Sequence, residues 1–444
     1  MTAINAISMN FEVDNKRYAP KLNEDYEIIK KLIWIYFILL LTEGALRKWF
    51  LPGLSQALLI IRDPLVIWIY FLAFQQNIFP SENKYISLLT KTTIVACFTS
   101  IIINQTHPFI ILYGIHTNYL HIPLAFIMGR ILTRTDVLNF GKAFLLGGFF
   151  MTWLVAEQFQ AERDGILNVA AGGHGFQLET SGGKLRASGT FSFVSGIVYY
   201  YCFAVSFVIY GFITKGALPR WMVYLGAGAT LLAMVTAGSR SVIAECLQVV
   251  ACFGFLAYIK PNEFGKIAFS LLGFILVGSI LYSQIDLFEE GIKFLGLRFE
   301  EAANTEGNPF EAYFIRYWHI IRAPYDLTWV SFFGLEGLGT GTRAGVALAA
   351  KLGISTKIGF VETPWSQPII ENGILIGCTF LFWRIWITKS LFVACIQSIK
   401  KGNYLPIFLF GACGPVLLTG MYGQPTTLGF VAFGTGLCLA STKT

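Results

Sequence analysis

The sequence predicts an all-α, polytopic membrane protein with about twelve transmembrane helices and one long connection on the outer face of the membrane. Of its 444 residues, 55% are hydrophobic and only 13% are charged, whereas soluble globular chains carry about 25% charged residues. A soluble chain of this length would divide into about two or three domains, each covered by a polar surface. Because the chain has too little charge for such surfaces, the composition favours a single membrane domain over residues 1–444.

A transmembrane helix needs about 20 mostly apolar residues. Apolar runs that reach or approach this length cover residues 32–50, 55–75, 86–103, 110–130, 137–157, 190–212, 220–237, 240–259, 266–285, 366–388, 403–421 and 425–440. Charges interrupt the first two runs and the last run is short, so the number of helices is approximate.

Basic residues are concentrated in every second connection between the predicted helices, and this distribution sets the expected orientation. If the N-terminal segment 1–31 is cytoplasmic, the even-numbered connections also lie inside, and they carry most of the remaining lysines and arginines. The turns at His107 and Gln424 then lie outside and carry no basic residue, while Arg47 and Lys48 are exceptions. This pattern predicts that both termini lie in the cytoplasm.

Two outer connections stand out by their length, residues 158–188 and residues 286–365. The longer one mixes apolar and polar residues and contains a glycine-rich stretch at 334–345, which is typical of short amphipathic helices on a membrane surface. Long connections in compact domains usually have a function. We therefore expect the functional site on this face.

Three arginines on the outer face are candidates for binding an anion. Arg186 lies in KLRASGTF, Arg240 lies in the helix–helix turn AGSRS, and Arg316 lies in the long connection. Arginine presents a rigid fork of donors that fits phosphate. The functional interpretation is a cationic pocket for phosphate or pyrophosphate, and the alternative is that these side chains contact headgroups and pair with loop carboxylates.

Carboxylates near or inside the predicted helices allow two interpretations. Glu371 falls about two turns inside the helix that begins near Trp365, where a carboxylate is costly unless it is paired or functional. It either holds the long connection, as a cap or through a loop arginine, or takes part in catalysis. Glu43 and Arg62 fall at similar depths in the first two helices, which predicts an interhelical pair.

No cofactor or metal is indicated. The eight cysteines all lie in apolar stretches without ligand spacing. The five histidines are scattered, and His116 and His121, five residues apart, should not share an α-helical face. His319 is the one histidine that we consider as a catalytic residue. The glycine-rich GTGTRAG follows no strand and matches no nucleotide-binding fingerprint, and no basic block suggests nucleic acid.

The order of several short motifs resembles the bacterial O-antigen ligase and O-antigen polymerase superfamily. RASGTF precedes a helix, SRS lies at a helix–helix turn, Arg316 and Trp318 lead into a GLGTG run, and ENGILIG opens a late helix. The resemblance covers roughly residues 180–385, and EGALRKWFLP and IRDPL look like one subgroup of polysaccharide polymerase-like proteins.

This resemblance implies an α-helical, GT-C-like glycosyltransferase of the bacterial inner membrane. Such an enzyme transfers a glycan from an undecaprenyl-diphosphate carrier to the hydroxyl of an acceptor glycan or lipid on the outer side, with inversion and without a metal. The family's arginines bind the donor pyrophosphate, a role that falls here on Arg186, Arg240 and Arg316. The ligases carry a histidine–asparagine pair nine residues before the glutamate of their E-x-G motif, where this chain has Glu362 and Thr363.

That departure favours a polymerase over a ligase and makes Glu362 the candidate general base. His319 and Glu371 are the other candidates for catalysis. A solute transporter is a different possibility, but transporters usually show related halves and broken helices that meet at the midplane, and neither is visible in the sequence. A non-catalytic scaffold or a flippase-like protein is the remaining alternative.

Overall fold

A computed structural model describes residues 26–177, 184–327, 330–357 and 359–443. Within these ranges the regular elements are helices, and β-type pairing is confined to isolated bridges such as that between Val169 and Phe176. The all-α prediction is therefore confirmed for the described residues.

Sixteen α-helices are numbered here in chain order. They are α1 (Tyr26–Ala45), α2 (Asp63–Gln75), α3 (Lys84–Ile102), α4 (Pro108–Ile115), α5 (Ile122–Ile131), α6 (Arg134–Gln160), α7 (Ser195–Ile213), α8 (Arg220–Thr236), α9 (Arg240–Ile259), α10 (Phe264–Gln284), α11 (Asp286–Glu306), α12 (Pro309–Arg322), α13 (Arg343–Lys351), α14 (Ser366–Lys400), α15 (Leu405–Thr419) and α16 (Pro425–Ser441). Two π-helical turns, Leu46–Phe50 and His116–Leu120, extend α1 and connect α4 to α5.

Seven helical stretches are long and apolar enough to cross a membrane. They are 57–75, 84–102, 108–131, 134–160, 195–213, 240–259 and 366–400. The membrane character predicted from composition is therefore supported. All twelve apolar runs of the sequence fall on helices, but several of these helices are shorter or carry more charge, so twelve spans stays a prediction.

The core is packed largely with aromatic rings. Phe37 of α1 stacks on Phe433 of α16 with ring centroids 5.0 Å apart, and both rings contact Phe140 and Phe144 of α6 edge-on or tilted. Helix α7 is buried on nearly all sides, which explains why its sequence is apolar without a polar face.

Segments that the sequence assigns to the cytoplasm contact one another. At one end, Lys30 pairs with Asp136 at 3.1 Å, and Arg130 donates to the carbonyl of Ile78 at 3.0 Å. Lys443, near the C-terminus, donates to the carbonyl of Arg130 at 2.5 Å. These contacts join the connections that the sequence assigns to the cytoplasm.

The connections assigned to the outer face also contact one another. Trp49 donates to the carbonyl of Ile166 at 2.9 Å, which joins the α1–α2 connection to residues 158–188. Lys184 pairs with Glu290 of α11 at 3.5 Å, which joins that segment to the long connection. The two long connections therefore lie together on one face.

The long connection contains amphipathic helices, as predicted. In α11 the buried side chains are Phe288, Phe294, Arg298 and Ala302, a spacing of mostly three or four residues along the helix that leaves the opposite side exposed. Helices α12 and α13 follow it.

Two boundaries differ from the predictions. The segment predicted as cytoplasmic, 1–31, includes the first turn of α1, which begins at Tyr26, and residues 1–25 lie outside the described ranges. The second run forms 3₁₀ turns before α2 begins at Asp63, so Arg62 caps this helix instead of lying within it. Asp63 is followed by Pro64, which is favoured in the first turn of a helix.

Candidate functional site

Helix α6 binds the segment that carries Arg186 through the side chain of Gln158. The side-chain oxygen of Gln158 accepts hydrogen bonds from the backbone amides of Ser188, at 3.1 Å, and Gly189, at 2.8 Å. Its amide nitrogen donates to the carbonyl of Gly189 at 3.2 Å. One buried glutamine therefore fixes the backbone of RASGTF immediately after Arg186.

The EGALRKW motif supports the same segment from the other side. Arg47 donates to Ser192 at 3.0 Å, and the amine of Lys48 donates to the hydroxyl of Ser188 at 3.1 Å and to the carbonyl of Gly189 at 2.5 Å. Burial lowers the pKa of Lys48 to about 7. These two basic residues, exceptions to the charge rule in the sequence, thus support the loop of Arg186.

A glycine turn brings Arg186 close to Arg240. Gly238 precedes α9 with φ of +63°, and a Cβ atom there would lie 3.4 Å from the carbonyl oxygen of Leu185 and 3.6 Å from the Cα of Arg186. The backbones of the two motifs are therefore in contact. Glycine favours both the positive φ and this close approach.

A cavity of about 210 Å³ lies at the same end of α9. Arg316 of α12 lines it together with Ser241, which directly follows Arg240, and Glu245, which lies one turn further along α9. The remaining lining residues are Tyr199, Tyr317, Ile320, Pro415, Val416, Thr419, Gly420 and Met421. Of the three predicted arginines, Arg316 thus lines the cavity with a carboxylate, while Arg240 begins α9 beside it and the backbone of Arg186 approaches Gly238.

Arg384 of α14 fixes the opposite wall of this cavity. It is buried, and it donates to the carbonyl of Leu417 at 3.1 Å and to that of Gly420 at 2.7 Å. Trp365 donates to the carbonyl of Leu418, between them, at 2.9 Å. These bonds satisfy carbonyls at the end of α15, which have no partners within their own helix.

Glu371 holds the glycine-rich stretch of the long connection. Its two carboxylate oxygens accept hydrogen bonds from the amides of Gly339 and Gly341, each at 3.0 Å, and one of them also accepts from Gln367 at 2.9 Å. The side chain is completely buried. Glu371 therefore holds the loop, which is one of the two interpretations of the sequence. It does so through backbone amides and not through the loop arginine, Arg343, which lies over the ring of Phe360.

The glycine of ENGILIG breaks α14 where the glycine-rich stretch crosses it. Gly373 has φ of +85°, and a Cβ atom there would lie 2.1 Å from the carbonyl oxygen of Phe332 and 2.4 Å from the amide of Gly334. Glu371 therefore lies in a short helical segment ahead of this break, and not in a continuous membrane helix.

Glu362 and His319 lie near the cavity but are not among its lining residues. Both are exposed. Val361, next to Glu362, belongs to a small apolar cluster with Trp365, and Ile320, next to His319, packs against the same cluster and lines the cavity. Residues next to the two candidates therefore pack in this region, but neither candidate lines the cavity.

Sequence reasoning overlooked Glu245. It is the one acidic residue in the apolar run 240–259, and an ionisable residue inside a membrane helix is a functional candidate by default. That signal, together with its position four residues after Ser241 on one helical face, was sufficient to single it out.

The expectation that His116 and His121 do not share a face is wrong. The turn between α4 and α5 is π-helical at His116–Leu120, and the i→i+5 hydrogen bonding of a π-helix aligns residues five apart. Nδ1 of His116 lies 2.8 Å from Oδ2 of Asp63, and Nε2 of His121 lies 3.0 Å from Oδ1. The three side chains form one buried group.

Comparisons of the chain with protein-family models, with curated proteins and with solved structures found no match. The functional interpretation therefore depends on the residues and on their arrangement.

Proposed function

We propose that this protein is a membrane glycosyltransferase of the polysaccharide-polymerase type. It transfers a glycan from an undecaprenyl-diphosphate-linked donor to a hydroxyl of an acceptor glycan, on the outer face of the bacterial inner membrane. The proposal is supported by a cavity at one end of α9 that Arg316 and Glu245 line, where Arg240 begins the helix and the backbone of Arg186 approaches Gly238.

The arginines act on the leaving group. As the bond between the anomeric carbon and the diphosphate oxygen breaks, negative charge builds on the diphosphate, and guanidinium groups already held at that position stabilise it. The supports on RASGTF and the glycine turn before α9 favour such a preorganised site, because they fix the backbone near two of the three arginines.

The acceptor hydroxyl attacks the anomeric carbon and passes its proton to a carboxylate as the new glycosidic bond forms. Two glutamates are candidates for this base. Glu362 occupies the place of the ligase histidine–asparagine pair and is exposed, whereas Glu245 lines the cavity with Arg316. We favour Glu245 because a base must come within hydrogen-bond reach of the reacting hydroxyl.

A polymerase is favoured over a ligase of the same superfamily. The ligase histidine is replaced by Glu362, so a histidine-based mechanism would need His319, which is exposed on α12 and does not line the cavity.

The test is glycan transfer by the purified full-length protein in lipid, with a lipid-diphosphate-linked donor and polymer length as the readout. Arg316→Lys keeps the charge but loses the fork, and we expect transfer to fall by roughly 10²-fold. Arg322→Lys, on the same helix, is the matched control and should retain activity.

Glu245→Gln and Glu362→Gln distinguish the two bases. We expect Glu245→Gln to lower transfer by at least about 10²-fold while donor binding persists, since it removes a proton acceptor and keeps the shape. A fully active Glu245→Gln with an inactive Glu362→Gln would return the role of base to Glu362. Wild-type activity in both Arg316→Lys and Arg240→Lys would refute the diphosphate site.

A further inference from the structure

Asp63, His116 and His121 form a group that the proposed transferase does not use. Asp63 begins α2, and the two histidines bracket the π-helical turn between α4 and α5. Both histidines are buried, and one donor atom from each residue lies within 4.8 Å of the others. The group lies among α1, α2, α4 and α5, whereas the cavity is at the end of α9.

Several polar atoms of this group are not satisfied by hydrogen bonds. Although Nδ1 of His116 lies 2.8 Å from Asp63, the contact lacks hydrogen-bond geometry, and neither ring nitrogen of His116 has a hydrogen-bond partner within the described ranges. The hydroxyl of Tyr113 is also buried without a partner among the described residues, and its ring centroid lies 5.2 Å from that of His116. Buried polar atoms rarely stay without a partner unless they have a role.

Arg62, next to Asp63 in sequence, acts on its carboxylate electrostatically but forms its ion pair with Glu43. Glu43 pairs with Arg62 at 3.1 Å and with Arg47 at 3.6 Å. Among the described residues, Asp63 has ion-pair contacts only with the two histidines, whose rings are neutral unless protonated. A carboxylate at membrane depth is costly unless a cation compensates it.

We propose that Asp63, His116 and His121 bind one divalent transition-metal ion of the zinc type. Two imidazoles and a carboxylate are ligands that such ions accept, and the three ligand atoms, one from each residue, lie within 4.8 Å of one another. Tetrahedral ligands around zinc lie about 3.3 Å apart. No separation among the three atoms therefore exceeds this spacing by more than about 1.5 Å, and a fourth position stays open for water.

The surroundings of His121 match those of a metal ligand. Its Nδ1 lies 3.0 Å from the hydroxyl of Tyr36, which also accepts a hydrogen bond from Arg62 at 3.2 Å. Metal-binding histidines almost always use their second nitrogen in this way, which fixes the orientation of the ring. The ion ties α2 to the π-helical turn and thereby fixes the first helices of the bundle.

The test uses Co²⁺ as a coloured substitute for zinc. Full-length protein, purified in detergent through a tag without histidine and stripped with a chelator, is titrated with Co²⁺ while its visible absorption is followed. We expect one ion per chain in the wild type and in His174→Gln, whose side chain is exposed outside the group. His116→Gln and Asp63→Asn should lose this binding.

If these variants fold poorly, a variant that replaces one metal-binding side chain by another still tests the proposal. His116→Cys should retain Co²⁺ and add a sulfur-to-cobalt charge-transfer band, because a thiolate replaces the imidazole in the coordination shell. Absence of stoichiometric Co²⁺ from the wild type overturns the proposal. Undiminished Co²⁺ binding by monodisperse His116→Gln also overturns it. Binding of Co²⁺ by His116→Cys without the charge-transfer band does the same. In either case the ion binds elsewhere, and the histidine–aspartate contacts are purely structural.

Discussion

Specific partners stabilise charged residues inside the bundle of this protein. Arg62 is the best example: its guanidinium pairs with Glu43 at 3.1 Å, donates to the hydroxyl of Tyr36 at 3.2 Å and donates to the carbonyl of Pro425 at 2.6 Å. The interhelical pair predicted from the depths of Glu43 and Arg62 is confirmed. The third contact, to the start of α16, joins the two ends of the chain.

Arg62→Ala should therefore destabilise the protein more than it slows transfer per folded molecule. Removing one partner leaves the buried carboxylate of Glu43 with a weaker counter-charge, which costs about 3–5 kcal/mol in buried ion pairs. Thermal unfolding and the yield of monodisperse protein measure the loss, and transfer per folded molecule measures function.

The double variant Arg62→Ala/Glu43→Gln is the control, because it removes the uncompensated charge and should recover part of the stability. Normal stability with lost activity in Arg62→Ala would instead assign Arg62 to the catalytic site.

Elements of this protein are held in place by side chains that bind backbone from other segments. Gln158 of α6 binds RASGTF, Arg384 of α14 binds the end of α15, and Glu371 binds the glycine-rich stretch. Such irregular backbone is tolerated at membrane depth only where protein groups satisfy it. The loops around the cavity are therefore ordered by the helices beneath them.

Glu371→Gln should loosen the glycine-rich stretch before it affects chemistry. The carboxylate accepts from Gly339 and Gly341 with different oxygens, whereas an amide presents one oxygen and turns a donor toward the other glycine amide. Hydrogen exchange of these two glycine amides should accelerate. Glu362→Gln, nine residues earlier and exposed, is the matched control and should leave their exchange unchanged.

Unchanged exchange in Glu371→Gln together with lost transfer would contradict this assignment. It would point instead to the catalytic role that the sequence also allowed for Glu371.

The whole molecule separates its connections into two ends, and charge selects which end faces the cytoplasm. The structure gives the separation, while the orientation is a prediction from the lysines and arginines. An impermeant thiol reagent applied outside should label His174→Cys and Asn304→Cys but not Lys215→Cys, all three at exposed positions.

The background for this labelling should replace Cys378, the native cysteine that is exposed. His174 is preferable to Gly173, because Gly173 has φ of +77° and a Cβ atom there would approach Pro52 within 2.9 Å. Labelling of Lys215→Cys without labelling of Asn304→Cys would invert the orientation and place the cavity on the cytoplasmic face.

The sequence by itself determined the features that depend on composition and on one-dimensional spacing. Hydrophobic runs located the helices, because a chain segment in an apolar solvent must pair its backbone polar groups internally, and a helix does so. The mixture of apolar and polar residues in 286–365 indicated amphipathic helices there, and the Glu43–Arg62 pair followed from matching depths.

Only the tertiary structure decided which distant residues meet. Three contacts depend on how helices far apart in sequence pack. The backbone of Arg186 approaches Gly238, Glu245 and Arg316 line one cavity, and Glu371 binds the amides of the glycine-rich stretch. The group of Asp63, His116 and His121 depends in addition on a π-helical turn. We assumed α-helical periodicity for His116 and His121. The one extra residue of a π-helical turn moves a side chain onto a different face of the helix.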